Sequence, residues 1–484
     1  MSDCRLVLYS FLPERVFYYF SSILYLVIVC FRELGKFVAQ SVKKRESWGS
    51  KLGFILATSG AAVGLGNIQR FPYITADNGG AAFVFIYILC VLAIGLPLML
   101  VEFSIGRATQ SNPVAAIQKI RPGSSWRLAG LLGVFTAFFI LTYYLVAAGW
   151  TVAYVLQMLR SDVRPLSEFA SDPLSVFPYI IFMLGTVILI VLRGLRKGIE
   201  KVSKAVMPLL VVLLLILVVR SLTLENSWEG VRFYLYPDLS EITPRVFLYA
   251  LSQAFFSLCV GEAVLVTYGS YVSKDDNIVA SAGYIALFDT LIAVISGLII
   301  FPALFAFNEP VGQGVGLIYN IMPKIFLEMP LGWLLGALFF LVLSFAALTT
   351  CIALLEIPVV FLMETAKWSR NRSTWFLGGL ALLFSVPSAL SVGAHKGLTE
   401  LHFSFLDQTG FYELMDFVWG NLSMVIGGLG LCLFTAHVWG AEKALKELQS
   451  GCPELGILGK AWIYIVKYFA PVSIICILLG LFTS

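Results

Sequence analysis

The sequence predicts an all-α membrane protein of about eleven transmembrane helices, arranged as two inverted repeats of five helices with helices 1 and 6 unwound. Of the 484 residues, 59% are hydrophobic and only 13% are charged, whereas a soluble domain carries about 25% charged residues. Apolar runs long enough to cross a bilayer recur along the chain. Two of these runs, five apart, are interrupted by glycine and polar residues near their middles.

The apolar runs define the predicted spans. A helix needs about 20 apolar residues to cross a hydrocarbon core of about 30 Å. The breaks between the runs hold charges and turn residues, such as those around Pro122 and Gly194. The predicted spans, numbered 1 to 11 in chain order, are 52–75, 81–105, 128–159, 174–193, 202–222, 243–271, 279–307, 331–363, 374–393, 412–438 and 462–482.

The distribution of Lys and Arg predicts the orientation, because short cytoplasmic loops are enriched in these residues. Twenty-one lie on one side of the predicted membrane and seven on the other. We therefore expect a cytoplasmic (inner) membrane protein whose first span starts in the cytoplasm and whose C-terminus lies outside. The twenty-one fall in segments 43–51, 107–127, 193–204, 274, 367–372 and 443–467, and the seven are Arg160, Arg164, Arg220, Arg232, Arg245, Lys324 and Lys396.

Near its middle, span 1 carries three glycines within seven residues, Gly60, Gly64 and Gly66, followed by Asn67. Each glycine weakens a helix by about 1 kcal/mol. Unwound backbone is tolerated in a membrane only where it lines a cavity or binds a ligand, so this segment is a candidate site. Gly60 and Gly64 also have the spacing of closely packed helices, and helix packing is therefore the alternative.

Three further spans carry polar residues. Ser257 and Glu262 lie near the middle of span 6. A charge at this depth costs about 2.5–3.5 kcal/mol, so Glu262 is expected to face a polar cavity, to be paired or to be protonated. Span 7 adds a second buried acid, Asp289. Thr349 and Thr350 in span 8 either contribute to a site or bond carbonyls of the preceding turn.

Two broken helices in equivalent places are typical of inverted-repeat transporters whose site lies near the membrane midplane. There, the N-termini of half helices meet anionic groups, while unwound carbonyls and nearby acids coordinate cations. For residues 1–41 an extra helix, an interfacial segment and upstream sequence from a misplaced start all stay open. The predicted domains are an N-terminal extension, 1–41, and a transporter domain, 42–484, with a first repeat at 42–222, a second at 242–438 and a last helix at 462–482.

From Arg45 to its end the chain resembles the neurotransmitter:sodium symporter family, in the branch of bacterial amino-acid transporters related to the leucine transporter. The resemblance implies a sodium-coupled symporter that takes up an amino acid across the cytoplasmic membrane by alternating access. The motifs that carry it are 48–53, 62–72 and 78–80 around span 1, 95–107 in span 2, and 267–271 at the end of span 6.

The resemblance implies two sodium sites built from hard oxygen ligands. The first takes the carbonyl of Ala62, the side chains of Asn67, Ser257 and Asp289, and the carboxylate of the substrate. The second takes carbonyls of Gly60, Val63 and Ala346 and the hydroxyls of Thr349 and Thr350.

The implied substrate site binds the amino-acid carboxylate on N–H groups around Leu65 and Gly66 and on the phenol of Tyr144, beneath an aromatic lid formed by Phe256. The other residues implied to line it are Ala61, Ile140, Ser257, Cys259, Glu262, Cys351 and Leu354. The implied gates are an outer pair, Arg70 and Asp416, and an inner pair, Arg45 and Glu364, with Trp48 and Tyr268 beside the inner pair.

Two residues depart from the family pattern. Asp289 stands where animal relatives often have Asn beside a chloride site, and its fixed negative charge predicts chloride-independent transport. Glu262 stands at a position that is apolar in the leucine transporter. It either favours a substrate with a cationic or hydrogen-bond-donating side chain, or binds a proton or a third cation, so the identity of the amino acid stays open.

Other function classes fit the sequence less well. Another small amine or osmolyte is the main alternative substrate, but one without a carboxylate usually needs an acid near Gly64, where this chain has Ala61 and Gly64. A non-transporting sensor predicts an appended signalling domain, which we do not find. The three His have no metal-binding spacing and there is no ATP-binding loop, so we predict no enzyme. The expected partners are a small-molecule amino acid and the lipid bilayer, with no nucleic acid, as a monomer or dimer.

Overall fold

The computed structural model describes residues 45–310, 314–403 and 408–481. The predicted extension, residues 1–41, lies outside the described residues. Within them, nine helices are long and apolar enough to cross a membrane. They correspond to predicted spans 2–5 and 7–11. Their bounds are Ala81–Thr109, Arg127–Arg160, Pro173–Leu192, Leu195–Leu222, Ile278–Ala306, Gly332–Thr365, Arg370–Leu390, Phe411–Gln449 and Gly456–Gly480.

Span 1 is broken, as predicted. It consists of Lys51–Ala62 and Gly66–Asp77, which meet at an angle of 52°. The first half ends because Val63 takes an extended conformation, with φ −72° and ψ 91°. The second half begins with the π-helical segment Gly66–Arg70 and continues as Phe71–Asp77.

Span 6 is also broken, between the helices Pro244–Ser257 and Val264–Gly269. Three residues in the break are left-handed: Cys259 (φ 52°), Gly261 (φ 92°) and Ala263 (φ 60°). Left-handed backbone is costly for residues with a Cβ and concentrates at functional sites. The two broken helices, the mark of the predicted inverted repeat, are thus confirmed.

Spans 3 and 8 form the centre of the bundle. In their most apolar stretches 83% and 78% of the residues are buried by the protein, against 33% in span 11. Spans 3 and 8 therefore provide the inner wall against which the broken spans pack, whereas span 11 lies at the periphery. Apolar side chains such as Leu479, 64% exposed, cover its outer face, as expected of a surface that contacts lipid.

Short elements connect the spans, and the sequence analysis assigned none of them. They are too short to give a clear periodic pattern. They comprise the helices Pro113–Ile120, Leu166–Ala170, Ser227–Leu235, Leu239–Glu241, Leu317–Ile321, Met322–Glu328 and Lys396–Thr399, and two antiparallel strands, His402–Phe403 and Gln408–Thr409. π-helical segments interrupt the longer spans at Val91–Gly95, Asp416–Ser423, Phe434–Gly440 and Ile465–Phe469, and another, Leu195–Glu200, begins span 5.

Candidate functional site

Three residues implied for the first sodium site meet in the protein interior. The amide nitrogen of Asn67 donates hydrogen bonds to Ser257 Oγ at 2.9 Å and to Asp289 Oδ1 at 2.8 Å. Ser257 Oγ donates to Asp289 Oδ2 at 2.6 Å. All three side chains are at most 1% exposed. Ala62, the fourth protein residue, is the last residue of the first half of span 1 and is also buried. The structure therefore joins the breaks of spans 1 and 6 through an acid on span 7.

The chemistry of this group suits an alkali cation. Carboxylate, hydroxyl and amide oxygens are hard ligands. The side chains that hydrogen-bond Asp289 are neutral, and a buried carboxylate is costly unless a positive charge or a proton compensates it. Asn67 Oδ1 accepts from the N–H of Gly64 at 3.3 Å, so its nitrogen faces Asp289. Rotation of the amide by half a turn exchanges its nitrogen and oxygen and presents oxygen to a cation.

The residues implied for the second sodium site lie where span 8 contacts the first half of span 1. A Cβ placed on Gly60 would lie 3.2 Å from the Cβ of Thr349. Thr350 Oγ1 donates to the carbonyl of Ala61 at 3.1 Å, and Thr349 Oγ1 donates to that of Ala346 at 3.0 Å. Val63 and Ala346 are fully buried.

Span 8 also makes both of the contacts that were the alternatives to a site, threonine bonding to the preceding turn and close packing against glycines. Both threonines bond the carbonyl of Ala346 in the preceding turn. Thr349 Oγ1 lies 3.0 Å from its oxygen and Thr350 Oγ1 lies 3.3 Å from it. Gly60 and Gly64 both lie against span 8, so the close packing that was the alternative is present as well. Packing and backbone unwinding occur in the same segment.

The backbone at the break of span 1 contacts the predicted carboxylate-binding tyrosine. The N–H of Leu65 donates to Tyr144 Oη at 2.8 Å. A Cβ on Gly64 would lie 2.6 Å from both Tyr144 Oη and Thr350 Oγ1, and one on Gly66 would lie 2.6 Å from a ring carbon of Phe256. Glycine at these positions allows the tyrosine and the aromatic lid to approach the backbone.

The remaining residues predicted for the substrate site are buried. Ile140 is 3% exposed, and Cys351 and Leu354 are fully buried. Cys259 Sγ lies 3.4 Å from the carbonyl oxygen of Ala61, so the breaks of spans 1 and 6 are also in contact here. Glu262 is 4% exposed and within hydrogen-bonding reach of the Cys259 thiol.

Four polar residues around the two breaks were not predicted as site residues. Glu102, on span 2 and 1% exposed, accepts a hydrogen bond from the N–H of Gly261 at 2.6 Å. A buried acid in an apolar span was the signal that could have identified Glu102. The other three are Gln253, which donates to the carbonyl of Gly66 at 2.9 Å, Ser296, which donates to that of Asn67 at 2.7 Å, and Tyr87, which donates to Ser257 at 3.1 Å.

The predicted inner gate residues are paired. Arg45 forms a salt bridge with Glu364, whose other carboxylate oxygen accepts from the N–H of Asn112 at 2.8 Å. Trp48 Nε1 donates to the carbonyl of Tyr268 at 3.1 Å, and the centroids of the two rings are 5.3 Å apart. These contacts join the segment that precedes the span 1 helix to the ends of spans 6 and 8.

The predicted outer pair is connected differently from the expectation. Among the described residues no salt bridge joins Arg70 to Asp416. Instead, Arg70 Nη2 donates to Asn421 Oδ1 at 2.9 Å, and Asn421 Nδ2 lies 3.3 Å from Asp416 Oδ2. The guanidinium of Arg70 also lies over the ring of Phe256, 4.3 Å from its centroid. Asn421, one turn beyond Asp416, is the bridging residue that the sequence analysis missed.

Comparisons with known proteins agree with this architecture. A family model described as the sodium:neurotransmitter symporter family matches residues 45–167 and 162–483. An uncharacterised sodium-dependent transporter of Bacillus subtilis, YhdH, is 36% identical over 450 residues, which cover 91% of this chain and 98% of YhdH. A second uncharacterised sodium-dependent transporter, from Haemophilus influenzae, is 32% identical over 458 residues, covering 90% of this chain and 98% of that protein.

A solved structure gives the same result. MhsT in complex with L-phenylalanine superposes with a TM-score of 0.83 at 39% identity, covering 90% of this chain and all of the MhsT chain. This chain is a polytopic membrane protein with a transporter fold, and it belongs to the sodium:neurotransmitter symporter family. Its relatives and structural neighbour are transporters rather than enzymes, and the family supports sodium-coupled transport of a small molecule.

Proposed function

We propose that the protein takes up an amino acid across the cytoplasmic membrane by sodium-coupled symport with alternating access, without a requirement for chloride. One observation carries the proposal. The buried carboxylate of Asp289 is bonded to Asn67 and Ser257 at the breaks of both unwound spans. MhsT, the structural neighbour at 39% identity, was solved with an amino acid bound, which supports the same substrate class here.

The amino-acid carboxylate binds at the start of the second half of span 1. A helix N-terminus presents unpaired N–H groups and a partial positive charge, and both favour an anion. Tyr144 Oη accepts a hydrogen bond from the N–H of Leu65, and its own hydroxyl group can donate to a carboxylate oxygen. The predicted aromatic lid, Phe256, lies against Gly66 beside this position.

Sodium coupling follows from a shared ligand. In the first cation site the substrate carboxylate joins Asn67, Ser257, Asp289 and the carbonyl of Ala62, so cation and amino acid each raise the affinity for the other. A second cation occupies the contact between spans 1 and 8. Its ligands are carbonyls of Gly60, Val63 and Ala346 and hydroxyls of Thr349 and Thr350.

Chloride independence rests on the charge of Asp289. A cation in a buried site needs a compensating negative charge. Asp289 supplies that charge from the protein itself, so a bound chloride ion has no electrostatic role. An Asn at this position would leave the cation without a compensating anion from the protein.

The gates give the order of the transport cycle. Sodium and the amino acid enter from outside, and Phe256 closes above them together with Arg70, Asn421 and Asp416. Opening of the Arg45–Glu364 pair then releases both toward the cytoplasm.

The second candidate function is transport of a narrower class of amino acids, and Glu262 is the residue that favours it. Its carboxyl is buried beside Cys259, and a substrate side chain that donates a hydrogen bond or carries a positive charge would compensate it. A small amine or osmolyte without a carboxylate fits less well. Such a ligand brings no anion to the cation site, and Ala61 and Gly64 supply none.

Uptake into proteoliposomes tests the proposal. The purified protein is reconstituted, and the entry of each radiolabelled amino acid is measured with an inward sodium gradient or with potassium on both sides. We expect uptake of at least one amino acid that requires the sodium gradient and continues when gluconate replaces chloride. Amino-acid uptake that is indifferent to sodium would contradict the coupling, and uptake of none of the twenty amino acids would contradict the substrate class.

A further inference from the structure

A second set of contacts, made by residues other than the Arg45–Glu364 pair, holds the N-terminal end of span 1. Three residues at the start of span 5, which we call the clasp, bond the five residues 46–50. The clasp consists of Leu195, Arg196 and Glu200, on the π-helical segment Leu195–Glu200. Glu200 is 3% exposed, whereas most of residues 46–50 lie at the surface.

Glu200 binds the very start of the span 1 helix. One carboxylate oxygen accepts from the N–H of Gly49 at 2.7 Å, and the other accepts from Ser50 Oγ at 3.2 Å and from Lys204 Nζ at 2.6 Å. Ser50 is the N-cap of the helix and accepts the N–H of Gly53 at 3.0 Å. A carboxylate at a helix N-terminus binds unpaired N–H groups and is favoured by the helix dipole.

The local sequence leaves room for this carboxylate. A Cβ on Gly53 would overlap the carboxyl group of Glu200, and one on Gly49 would lie 3.1 Å from both of its oxygens. Two glycines one helical turn apart thus let a side chain of span 5 lie directly against the first turn of span 1.

The other two clasp residues extend the contact along the chain. The N–H of Leu195 donates to Glu46 Oε2 at 2.9 Å. Arg196 donates to the carbonyl and the hydroxyl of Ser47, both at 2.7 Å. The N-terminal half of span 1 therefore cannot move away from span 5 without breaking several charge-assisted hydrogen bonds or taking the start of span 5 with it.

We propose that Glu200 is a positioning residue whose contacts hold the N-terminal half of span 1 against span 5. These contacts determine how readily that half moves away from span 5 to open the predicted cytoplasmic side. The π-helical segment that carries Glu200 follows Gly194, which has φ 76°. Irregular helical turns of this kind are common at functional sites. The clasp acts on the inner end of the path and is separate from the residues proposed to bind substrate and sodium.

Hydrogen–deuterium exchange of the full-length protein in detergent tests the proposal without any amino acid, so the result does not depend on the substrate class. Wild type and Glu200→Gln are compared in sodium and in potassium. Glutamine keeps the shape but loses the charge and one acceptor oxygen. We expect amides of residues 51–62 to exchange at least about fivefold faster in sodium in Glu200→Gln, because a charged acceptor is lost.

Two further variants complete the test. Glu442→Gln removes an exposed carboxylate that pairs with Lys467 at 2.7 Å, and its exchange in 51–62 should equal that of wild type. Arg196→Met removes a different clasp residue and should accelerate the same peptides. Replacing sodium by potassium should accelerate exchange of these peptides in wild type. The same replacement should increase their exchange rate little further in Glu200→Gln.

Three results would overturn the proposed role of Glu200. The first is exchange in 51–62 that rises less than about fivefold in Glu200→Gln, and the second is a rise of equal size in all helices, as a purely structural role predicts. The third is a Glu200→Gln protein that keeps the full sodium response of wild type.

Discussion

Ser257 donates a hydrogen bond of 2.6 Å to the carboxylate of Asp289, which links the break of span 6 to the middle of span 7. Asn67, from the break of span 1, donates to the other oxygen of the same carboxylate at 2.8 Å. One acid thus connects both unwound segments. In the proposed cycle a cation bound here would contact both broken helices, and we propose that this shared contact couples the cation to movement of the two repeats.

Replacing Asp289 by Asn tests the electrostatic role of this acid. The change keeps the shape of the side chain but removes the charge that compensates the cation. We expect sodium-dependent uptake either to be lost or to require chloride, measured in chloride and gluconate media. Asp275→Asn, at an exposed loop position, is the control and should transport like wild type in both media. Full chloride-independent uptake by Asp289→Asn would remove this role.

Tyr144→Phe tests the proposed carboxylate site. The substitution deletes only the hydroxyl that now accepts the N–H of Leu65 at 2.8 Å. Because a hydrogen bond to a charged group contributes about 1.5–3 kcal/mol, substrate affinity in sodium should fall by about 10- to 100-fold. Equilibrium binding of the radiolabelled amino acid measures the change. Tyr284→Phe, at a position 57% exposed on span 7, is the matched control, and equal affinities in the two variants would disprove the contact.

Gly64→Ala tests whether the close approach at the break of span 1 matters for binding. The added methyl group would lie 2.6 Å from Tyr144 Oη and from Thr350 Oγ1, so these groups must move. Overpacking of this kind costs about 1–3 kcal/mol, and sodium-dependent substrate binding should weaken accordingly. Gly283→Ala, in the helix Ile278–Ala306, has no atom within 4 Å of the new carbon and should bind normally. Equal substrate binding by Gly64→Ala and Gly283→Ala would contradict a role of this close approach in binding.

Both breaks were predicted, but the local sequence explains the break of span 1 more fully than that of span 6. In span 1 the glycines themselves weaken the helix, and the structure unwinds there. In span 6 the left-handed residues include Cys259 and Ala263, whose side chains oppose that conformation. Their backbone is held by tertiary contacts, including the bond from Gly261 to Glu102, which the local sequence does not reveal.

The site residues also divide into those that the sequence reveals and those that depend on tertiary contacts. Asn67, Ser257 and Asp289 were identified as polar residues within apolar spans and from the family resemblance. The structure brings them together, although their function stays a prediction. Asn421 was missed because its contact with Arg70 joins residues 351 positions apart. A polar residue in a span has a recognisable cost, but which distant residue it meets depends on how the helices pack.

Glu262→Met tests whether this acid selects the substrate. If its carboxylate compensates a donor or a cation on the substrate side chain, the variant should lose affinity for basic or polar amino acids and gain affinity for apolar ones. A thermal-shift screen of the twenty amino acids in sodium and in potassium measures the profile, because a ligand that binds only the folded state raises the melting temperature. Glu442→Met, at an exposed carboxylate, is the control and should keep the wild-type profile. An unchanged profile in Glu262→Met, with sodium-dependent stabilisation retained, would mean that Glu262 does not determine which substrate side chain is bound.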